Sequence, residues 1–499
     1  MKKKKIISII FITIVVSFFA INFFLDFGTG SGAAKKNDKL STIKSFFTSE
    51  QLQLIKKYIF PYKMIDQQKE QLDYTYSVID RYDKSIKKLQ KKNLFHELKV
   101  LKDKQDIGIL KNTKLSNDKI LKVYHLTNGF RYGINSFTSG SGYIDFHNNN
   151  LFVLSSRGIL AFSKNIDDEN NLQQIENNIS DFIGLKQFIK SPWFSIKDMY
   201  IHEDQIFVSY TDEIQENCWN ISVLQADINY ESIKFKKIFS SKGTFDNQAT
   251  ENYGKIYGHE KLSKECHHRN NNIDIEFNAH QSGGRIANFD SNHILLSLGD
   301  FRKRWLAQDT DNPNGKIIKL NINTSDYEIV SMGHRNAQGM YFDKENNFIL
   351  ETEHGPKGGD EINLIELDKM NQDNPLNYGW PIVSAGEHYR WKDRSKPKPV
   401  QYEEYPLYKS HTKYGFTEPL KEFTPSIGIS EITKIGKNRY VTSSMKDKSL
   451  YFFELDNQRK IINLNRVEVF ERIRDLRYKD DKLYLFLENT ATIGVISLN

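Results

Sequence analysis

Alternating hydrophobic and polar positions recur along the chain from about residue 105 and predict a series of β-hairpins. In each copy, an alternating run leads into a polar turn, and a second apolar run ends in Ser, Thr, Asp or Glu. The copies are YIDFHNNNLFVLSS from Tyr143, MYIHEDQIFVSYTD from Met199, RIANFDSNHILLSLGD from Arg285, QGMYFDKENNFILETE from Gln338, EITKIGKNRYVTSS from Glu431 and LRYKDDKLYLFLEN from Leu476. These intervals suit propeller blades and predict an all-β, six-bladed β-propeller over residues 105–499. A pair of β-sandwiches is the alternative.

The segment before the hairpins carries two further patterns. Residues 6–25 are uncharged and apolar, long enough for a helix to cross a bilayer, and lysines at positions 2–5 precede them. Because lysines favour the cytoplasmic side, we predict that residues 1–26 are a membrane-spanning signal anchor and that the following chain is periplasmic or otherwise extracytoplasmic. A cleaved signal peptide is the alternative, and it implies the same location. Residues 27–104 are predicted to form a linker and then a short helical stalk.

The composition narrows the range of partners. The formal net charge of +7 is partly local, because four of the lysines stand at positions 2–5. No stretch concentrates Lys and Arg with interleaved aromatic residues, so we expect no nucleic-acid partner. Cys218 and Cys266 could form one disulfide in an oxidising compartment or remain as two thiols. Neither has a CxxC partner or a nearby pair of histidines that would indicate a metal site.

Residues capable of chemistry cluster before the first strand of a predicted hairpin or after its second strand. Both places lie at the end of the hairpin opposite its turn, so a closed propeller would gather them at one mouth of its central channel. These residues stand in NAHQSGGR from Asn278, Gly299–Asp300, GHRNAQGM from Gly333, TEHGPKGGDEINLI from Thr352, NYGWP from Asn377, Met445–Lys446 and RIRD from Arg472.

Two of these motifs indicate proton transfer and metal binding. His280 precedes a Gly-Gly pair that lets backbone approach a ligand, and Asp300 could orient this histidine as a general base. A structural or surface histidine is the plainer interpretation. The Gly-Pro-Lys-Gly-Gly stretch at residues 355–359 exposes backbone carbonyls, and carbonyls near Asp360 and Glu361 suit a hard cation such as Ca²⁺. A solvated acidic turn is the alternative for the two acids.

Positive side chains near the last two hairpins indicate an anionic ligand. Arg472 and Arg474 are two residues apart and face the same way on a strand, and Lys446 follows the preceding hairpin. Gathered at one channel mouth, these cations would repel one another unless an anion lay between them. Guanidinium groups bind carboxylates with two parallel hydrogen bonds, so a small polycarboxylate is the expected ligand. Pairing of each cation with a neighbouring acid such as Asp475 is the alternative.

In this order, HQSGGR, GHRNAQGM, EHGPKGGDEINLI, NYGWP, TPSIGIS from Thr424 and RIRD resemble the glucose/sorbosone dehydrogenase family. This family comprises the soluble glucose dehydrogenases and aldose sugar dehydrogenases that depend on pyrroloquinoline quinone (PQQ), a planar tricarboxylate. The resemblance is specific from about Asn278 to the C-terminus. It is faint over residues 105–277, where the Gly-rich stretch of an early blade is not recognisable between residues 185 and 215. It implies a six-bladed propeller with PQQ and calcium at the channel mouth.

The resemblance also implies roles for individual residues. His280 matches the general base that takes the proton of the substrate hydroxyl, and Asp300 matches the acid that supports it. Arg335 and Asn336 match residues at the quinone oxygens, so that Arg335 counts as both catalytic and cofactor-binding. His354 stands at a cofactor-binding position where the aldose branch also has histidine.

The remaining predicted positions hold the cofactor's carboxylates and two metal ions. Lys446, Arg472 and Arg474 match the cations that hold the carboxylates of PQQ. Gly355 and Pro356 match the backbone carbonyls that ligate the catalytic calcium. Asp360, Glu361 and Tyr378 fall where the family can hold a second, structural calcium.

These observations predict PQQ- and calcium-dependent oxidation of a sugar or a related alcohol, with hydride passing to the quinone. The electrons are expected to pass to a membrane quinone or a cytochrome, close to the anchor. The alternative is a catalytically inactive propeller that serves as an extracytoplasmic ligand-binding module.

Overall fold

The computed structural model describes residues 69–82, 109–126, 141–156, 158–167, 172–183, 196–215, 218–241, 280–370, 375–389, 397–398 and 401–499. The chain divides into two compact units, Met1–Lys88 and Leu89–Asn499. In the first unit, residues 69–82 are helical, within the predicted helical stalk. The predicted anchor at residues 1–26 and the cysteine Cys266 lie outside the described residues. Within the described ranges, no helix is both long and apolar enough to cross a bilayer.

The second unit begins with two strands and the first two blades of a propeller. The leading strands are β1 (Ile109–Lys114) and β2 (Ile120–His125). Blade 1 contains β3 (Gly142–His147), β4 (Asn150–Ser155), β5 (Leu160–Ser163) and β6 (Leu172–Asn177). Blade 2 contains β7 (Ile196–His202), β8 (Gln205–Gln215) and β9 (Cys218–Asp227). The short β10 (Ser232–Ile233) then pairs with β6 of blade 1, and β11 (Lys236–Ser240) completes blade 2.

Blades 3 and 4 follow the same plan. Blade 3 contains β12 (Gly283–Asn288), β13 (His293–Leu298), β14 (Lys316–Asn321) and β15 (Tyr327–Met332). Blade 4 contains β16 (Ala337–Asp343), β17 (Phe348–Glu353) and β18 (Asp360–Glu366). The two-residue β19 (Leu376–Asn377) pairs with β15, and β20 (Lys421–Phe423) completes blade 4. Short helical turns decorate the connections at Ile179–Asp181, Arg304–Gln308, Leu367–Lys369, Gln401–Glu404 and Thr412–Tyr414.

The last two blades close the ring. Blade 5 contains β21 (Ile429–Gly436), β22 (Arg439–Ser444), β23 (Ser449–Leu455) and β24 (Ile461–Glu468). Blade 6 contains β25 (Ile473–Lys479), β26 (Lys482–Leu487) and β27 (Thr492–Ser497), and β27 pairs with β2. The sixth sheet is therefore built from both ends of the unit, in the order β1-β2-β27-β26-β25. A sheet shared by both ends ties the last blade to the start of the ring.

The six innermost strands form a closed circle, because β3, β7, β12, β16, β21 and β25 each contact the next and β25 contacts β3. The predicted six-bladed propeller is confirmed, and the β-sandwich alternative is wrong. Each of the six predicted hairpins forms the two innermost strands of one blade. Their strands are buried on both faces over most of their length, because each blade packs between two neighbouring blades.

Hydrophobic clusters fill the space between neighbouring blades. Phe207 and Leu296 are buried together between blades 2 and 3, and Tyr440 and Phe453 are buried between blades 4 and 5. Comparable clusters lie at the other interfaces, including the one between blades 6 and 1. Burial at every interface lets the blades stabilise one another around the ring.

Buried charges cross the central channel. The guanidinium of Arg285 on β12 lies 2.9 Å from Asp198, 3.0 Å from Glu431 and 2.9 Å from Asp475, which belong to three other innermost strands. Arg477 lies 3.1 Å from Asp475 and 3.3 Å from Glu431. The carboxylates also accept backbone N–H bonds from neighbouring blades, as Asp198 does from Ile286 and Asp475 from Ile144. Ion pairs that are also hydrogen-bonded offset the cost of burying these charges.

Candidate active site

A cavity of about 510 Å³ lies at one mouth of the channel. Arg285 belongs to both its lining and the buried ion network, so the cavity begins where that network ends. Most of the site residues predicted from the sequence line this cavity: His280, Arg335, Asn336, His354, Gly355, Pro356, Asp360, Lys446, Arg472 and Arg474. Asp300, Glu361 and Tyr378 are not among the lining residues.

Two arginines of the cavity share one carboxylate. Nε of Arg472 donates to Oε2 of Glu488 at 2.8 Å, and Nε of Arg474 donates to Oε1 at 2.9 Å. Glu488 is buried; burial alone would raise its pKa, but Arg474 and Arg472 outweigh that effect and hold the pKa at about 2. The expected partner Asp475 pairs instead with Arg285 and Arg477. A single carboxylate between two guanidinium groups leaves one positive charge uncompensated.

Lys446 reaches the cavity from blade 5. Its backbone N–H donates to the carbonyl of Ile427 at 3.0 Å, which folds the loop after β22 against the loop before β21. Among the described residues, no carboxylate lies within ion-pair distance of its ammonium. Lys446 therefore adds a second uncompensated positive charge to the cavity that Arg472 and Arg474 line.

Arg335 is held by the loop that follows β17. Its Nη1 donates to the carbonyl oxygens of His354 (2.6 Å) and Gly355 (2.7 Å), and its own backbone N–H donates to Glu353 (2.6 Å). Its guanidinium also lies 5.4 Å from the ring centre of Trp380, within cation–π distance. These contacts fix the direction of the guanidinium from three sides.

Asp300 lies behind the cavity lining. Its carboxylate accepts hydrogen bonds from the indole of Trp380 and the backbone of Arg302, both at 2.8 Å, and from the Gln281 amide at 2.7 Å. The amide oxygen of Gln281 in turn accepts from Nη2 of Arg335 at 2.7 Å. Burial raises the pKa of Asp300 even though Arg335 opposes the effect. The Asp300 carboxylate is thus held by Trp380, Arg302 and Gln281, and its support of His280 stays a prediction.

His354 faces the cavity beside Asn336. Its Nδ1 lies 3.4 Å from the Asn336 amide, and its Nε2 is buried with no hydrogen-bond partner among the described residues. Burial lowers its pKa, and the nearby Arg335 and Arg474 add to this, whereas Asp360 opposes it. The ring is therefore neutral near pH 7, and its Nε2 is available to a ligand.

The adjacent acids Asp360 and Glu361 point to opposite faces of β18, as strand geometry requires. Asp360 lies at the cavity, where its carboxylate accepts backbone N–H bonds from Gly355 (3.2 Å), Gly428 (2.6 Å) and Ile429 (3.1 Å). These bonds join the loop after β17 to the loop before β21. Asp360 thus positions the loops, and its oxygens are occupied by backbone donors.

Glu361 belongs to a second polar cluster within and beside blade 4. Its Oε1 lies 3.8 Å from Nε2 of His411, and its Oε2 lies 3.5 Å from the Asn363 amide that also reaches Glu351 and Glu353. Burial and the neighbouring glutamates raise the pKa of Glu361 well above its usual range. The three residues predicted to hold a second calcium therefore do not lie together: Asp360 faces the cavity, whereas Glu361 and Tyr378 lie on the other side of β18.

Tyr378 lies beside this cluster without turning its hydroxyl toward Glu361. Its ring stacks on His334 with centres 4.9 Å apart, and its hydroxyl donates to the carbonyl of Leu364. Several buried atoms of the cluster have no hydrogen-bond partner among the described residues: Nδ1 of His334, Oε1 of Glu351, Oδ1 of Asn363, Nδ1 of His411 and Oε1 of Glu422. Oxygen and imidazole nitrogen atoms without a partner, gathered in one place, are suited to bind a cation through their lone pairs.

Two further charged residues lie at or next to the cavity although the sequence did not predict them, Glu488 and Lys197. Glu488 follows the second strand of the sixth hairpin, and Lys197 is the second residue of β7, two positions before the predicted start of the second hairpin at Met199. Both places correspond to those that led to His280 and Lys446. Glu488 lies against the cavity arginines, and Lys197 lines the cavity.

The fold and site define a six-bladed β-propeller with a cationic cavity at one mouth. Residues 260–495 match the family model described as Glucose / Sorbosone dehydrogenase. These residues carry the ordered motifs, most of which contribute to the cavity lining, and over this region the chain is similar to the glucose/sorbosone dehydrogenase family.

Two curated relatives illustrate the sequence similarity. Aldose sugar dehydrogenase YliI of Escherichia coli is 27% identical over 232 residues, which cover 42% of this chain and 57% of the relative. Quinoprotein glucose dehydrogenase B of Acinetobacter calcoaceticus is 40% identical over 136 residues, which cover 21% of this chain and 27% of the relative. The chain thus spans at most just over half the length of these relatives.

Solved structures show the same architecture. A crystal structure of glucose dehydrogenase superposes with a TM-score of 0.55 at 21% identity, covering 75% of this chain and 99% of that chain. The apo-form of the soluble aldose sugar dehydrogenase from Escherichia coli superposes with a TM-score of 0.53 at 19% identity, covering 75% and 98%. At such low identity, these similarities establish the fold.

Proposed function

We propose that the chain is a PQQ- and calcium-dependent dehydrogenase that oxidises a sugar or a related alcohol. The observation that carries this proposal is the convergence of Lys446, Arg472 and Arg474 on one cavity that His280 also lines. The name of the Acinetobacter relative describes a quinoprotein, and that of the Escherichia coli relative describes an aldose sugar dehydrogenase. Both names agree with a polyanionic redox cofactor beside a proton acceptor.

The residues of the cavity fit a planar tricarboxylate. Lys446 and the pair formed by Arg472 and Arg474 supply positive charge, and the planar guanidinium groups suit carboxylates. Buried Nε of Arg335 and buried Nε2 of His354 have no hydrogen-bond partner among the described residues. A cofactor with carboxylate and quinone oxygens would satisfy such groups, which are costly to bury without a partner.

The residues also fit a calcium ion next to the cofactor, with a shared role for Arg335. Gly355 and Pro356 line the cavity, and the carbonyl of Gly355 already accepts a bond from the Arg335 guanidinium. A carbonyl oxygen has two lone pairs, so Gly355 can accept the Arg335 bond and still ligate calcium, the type of cation that prefers such oxygens. Because Asp360 is occupied by backbone donors, the remaining ligands would come from the bound cofactor. A second ion would be held by Glu361, His411 and the glutamates beside them rather than by Asp360.

In this proposal, the chain positions the substrate and moves one proton. PQQ, when bound with calcium, supplies the hydride acceptor and its activation. His280 takes the proton of the substrate hydroxyl, which makes that carbon a better hydride donor. Asp300, through Gln281 and Trp380, holds Arg335 and the backbone next to His280 in place. The Arg285 and Arg477 network closes the channel below the site and restricts water.

We further propose that residues 1–26 anchor the enzyme and that the propeller lies outside the cytoplasm. A membrane quinone or a cytochrome would then accept the electrons. The apolar run at residues 6–25 and the preceding lysines support the location.

Reconstitution of the full chain with PQQ and Ca²⁺ tests the proposal. Binding is followed by the absorbance of PQQ, and turnover by reduction of a dye across a panel of aldoses and alcohols. A His280→Asn variant should bind PQQ as the wild type does and lose about 10²- to 10⁴-fold in turnover, the usual contribution of a general base. A His293→Asn variant is the control, because His293 lies on β13 paired with Asp290 and outside the cavity lining.

The outcomes separate the alternatives. Failure of the wild type to bind PQQ contradicts the proposal as a whole. Binding of PQQ without turnover on any substrate would favour the inactive ligand-binding module instead. Undiminished turnover in His280→Asn would remove the role given to this histidine and leave the cofactor assignment intact.

A further inference from the structure

We propose that Lys197 is a fourth cation that binds the carboxylates of the cofactor, together with Lys446, Arg472 and Arg474. This inference rests on the proposed function and adds a binding residue that the family motifs do not include. Lys197 stands in the region where the resemblance is faint, at the start of β7, and its side chain lines the cavity.

The position of Lys197 is equivalent to that of Arg474 in another blade. Each is the second residue of an innermost strand, and each is skipped in the strand pairing, because Ile196 pairs with Tyr210 and Asp198 with Ser209. The same irregularity isolates Arg474 on β25 and Gln338 on β16. Bulges of this kind turn an extra side chain out of the ladder and are common next to active sites. Lys197, Gln338 and Arg474 thus reach the cavity from alternate blades 2, 4 and 6.

Arg474 interacts with Lys197 and with Gln338, and the three residues form what we call the inner ring of the cavity. Nη1 of Arg474 lies 3.4 Å from the amide oxygen of Gln338, and the charge of Arg474 acts on Lys197. The residue after Lys197 is Asp198, and the residue after Arg474 is Asp475; both belong to the ion network that closes the channel. The inner ring of Lys197, Gln338 and Arg474 therefore lies at the inner end of the cavity, directly next to that ion network.

The neighbouring blade leaves space for the Lys197 stem. At Gly284, a Cβ atom would lie 2.4 Å from Cβ of Lys197 and 3.0 Å from its Cγ. Gly284 has a φ of +108°, a conformation that other residues rarely adopt. The packing of the lysine stem against bare backbone holds the side chain at the cavity.

The charges of the site favour a fourth cation. Lys446, Arg472 and Arg474 carry three positive charges, but Glu488 lies against both arginines and cancels one of them. The carboxylates of the cofactor would therefore bind more tightly with a further cation beside Arg474. Lys197 lines the same cavity and supplies it.

Burial of Lys197 should make its protonation measurable when a carboxylate of the cofactor binds. Burial, assisted by Arg474, lowers the pKa of Lys197 to about 7. Among the residues that the structure describes, the charged groups at this end of the cavity are Arg474 on β25 and Arg285 on β12, with the acids Asp198 and Asp475 paired to Arg285. Burial raises the pKa of Tyr143 on β3, so its phenol stays neutral. A bound carboxylate favours the ammonium form, so binding near pH 8 should take up a proton. Affinity should fall as the pH rises above about 7.

Titration of the full chain with PQQ in the presence of Ca²⁺ tests the inference. Lys197→Gln should weaken PQQ binding at pH 7 by at least about tenfold, as expected when a charge-assisted hydrogen bond is lost. Lys197→Arg should keep most of the affinity, because its charge is retained. Lys236→Gln is the control, because Lys236 is exposed on β11 and lies outside the cavity lining, so its loss should change the affinity by less than about threefold.

Proton uptake is measured from the binding enthalpy in two buffers of different ionisation enthalpy at pH 8. The wild type should take up more protons than Lys197→Gln does. If Lys197→Gln binds PQQ as tightly as the wild type does, the inference is wrong. If Lys197→Gln does not fold, the wild type alone decides, and the absence of proton uptake on PQQ binding would then contradict the inference. If the wild type itself does not bind PQQ, the proposed function fails first, and the two failures are therefore distinguishable.

Discussion

Glu488 sets the charge of the cationic cavity at the scale of a single residue. It is buried, and it hydrogen-bonds Arg472 and Arg474 through different oxygens. Two guanidinium groups two residues apart, on Arg472 just before β25 and on Arg474 within it, would otherwise repel each other before any ligand binds. The carboxylate holds both arginines in position and leaves one charge for an anion.

Replacement of Glu488 by Gln should destabilise the protein in a pH-dependent way. The folded state lowers the pKa of this carboxyl to about 2, so its ionised form stabilises the fold above its ordinary pKa. The loss should be on the order of 3 kcal/mol at pH 7. As the pH falls from about 4.5 towards about 2, the wild type loses this advantage and the two proteins should converge.

Urea unfolding across this pH range measures the difference. Glu454→Gln is the control, since Glu454 is 40% exposed and lies 3.7 Å from the exposed Arg439. It should change the free energy of unfolding by less than about 0.5 kcal/mol. A constant difference between wild type and Glu488→Gln from pH 7 to pH 2 would contradict the assigned linkage.

At the scale of the elements, the innermost hairpins determine what enters the cavity. Six hairpins could be predicted from their strand patterns and turn residues, because strand-forming apolar residues and turn residues act over a few positions. The bulges that turn out Lys197, Gln338 and Arg474 leave no comparable signal, since they depend on how each strand pairs with its neighbour. The same holds for Asp360 and Glu361, whose opposite directions follow from β18 being a paired strand.

Gly284→Ala should disturb β12 and the lysine that packs on it. The new methyl group would lie 2.4 Å from Cβ of Lys197, at a residue whose φ is +108°. We expect a loss of about 1–3 kcal/mol in unfolding free energy and weaker PQQ binding, because Lys197 must move. Gly436→Ala on β21 is the control, where a Cβ would meet its nearest neighbour at 3.6 Å. Equal stability of the two variants by urea unfolding would show that this close packing is not required.

At the scale of the whole molecule, the ring is closed by β2, which pairs with β27 and joins the two ends of the propeller. Leu121 on β2 is 2% exposed and packs with Leu485 and Ile496 of the last blade. Closure brings the ends of the innermost strands of all six blades to one mouth, where they line the cavity. The cavity therefore depends on contacts far from it.

Leu121→Ala should weaken the closure. Removal of a buried leucine side chain typically costs about 2–5 kcal/mol, because a cavity remains. Lys122→Ala, at the next position of the same strand, should cost less than about 0.5 kcal/mol because its side chain is exposed. Chemical unfolding of both variants gives the comparison. A small loss for Leu121→Ala would mean that the ring is held mainly by its other interfaces.

Hydrophobic alternation, turn chemistry and the ordered motifs were enough to predict the six blades, the end of each hairpin that carries chemistry, and a gathering of cations with His280. Such features are local, because strand period and turn residues act over a few positions. The partners of the charged residues were not local: Glu488 for the cavity arginines, and Arg285 with Arg477 for Asp475. Ion pairs between residues of different blades depend on ring closure, bulges and burial, so only the tertiary structure decided which charged residues pair.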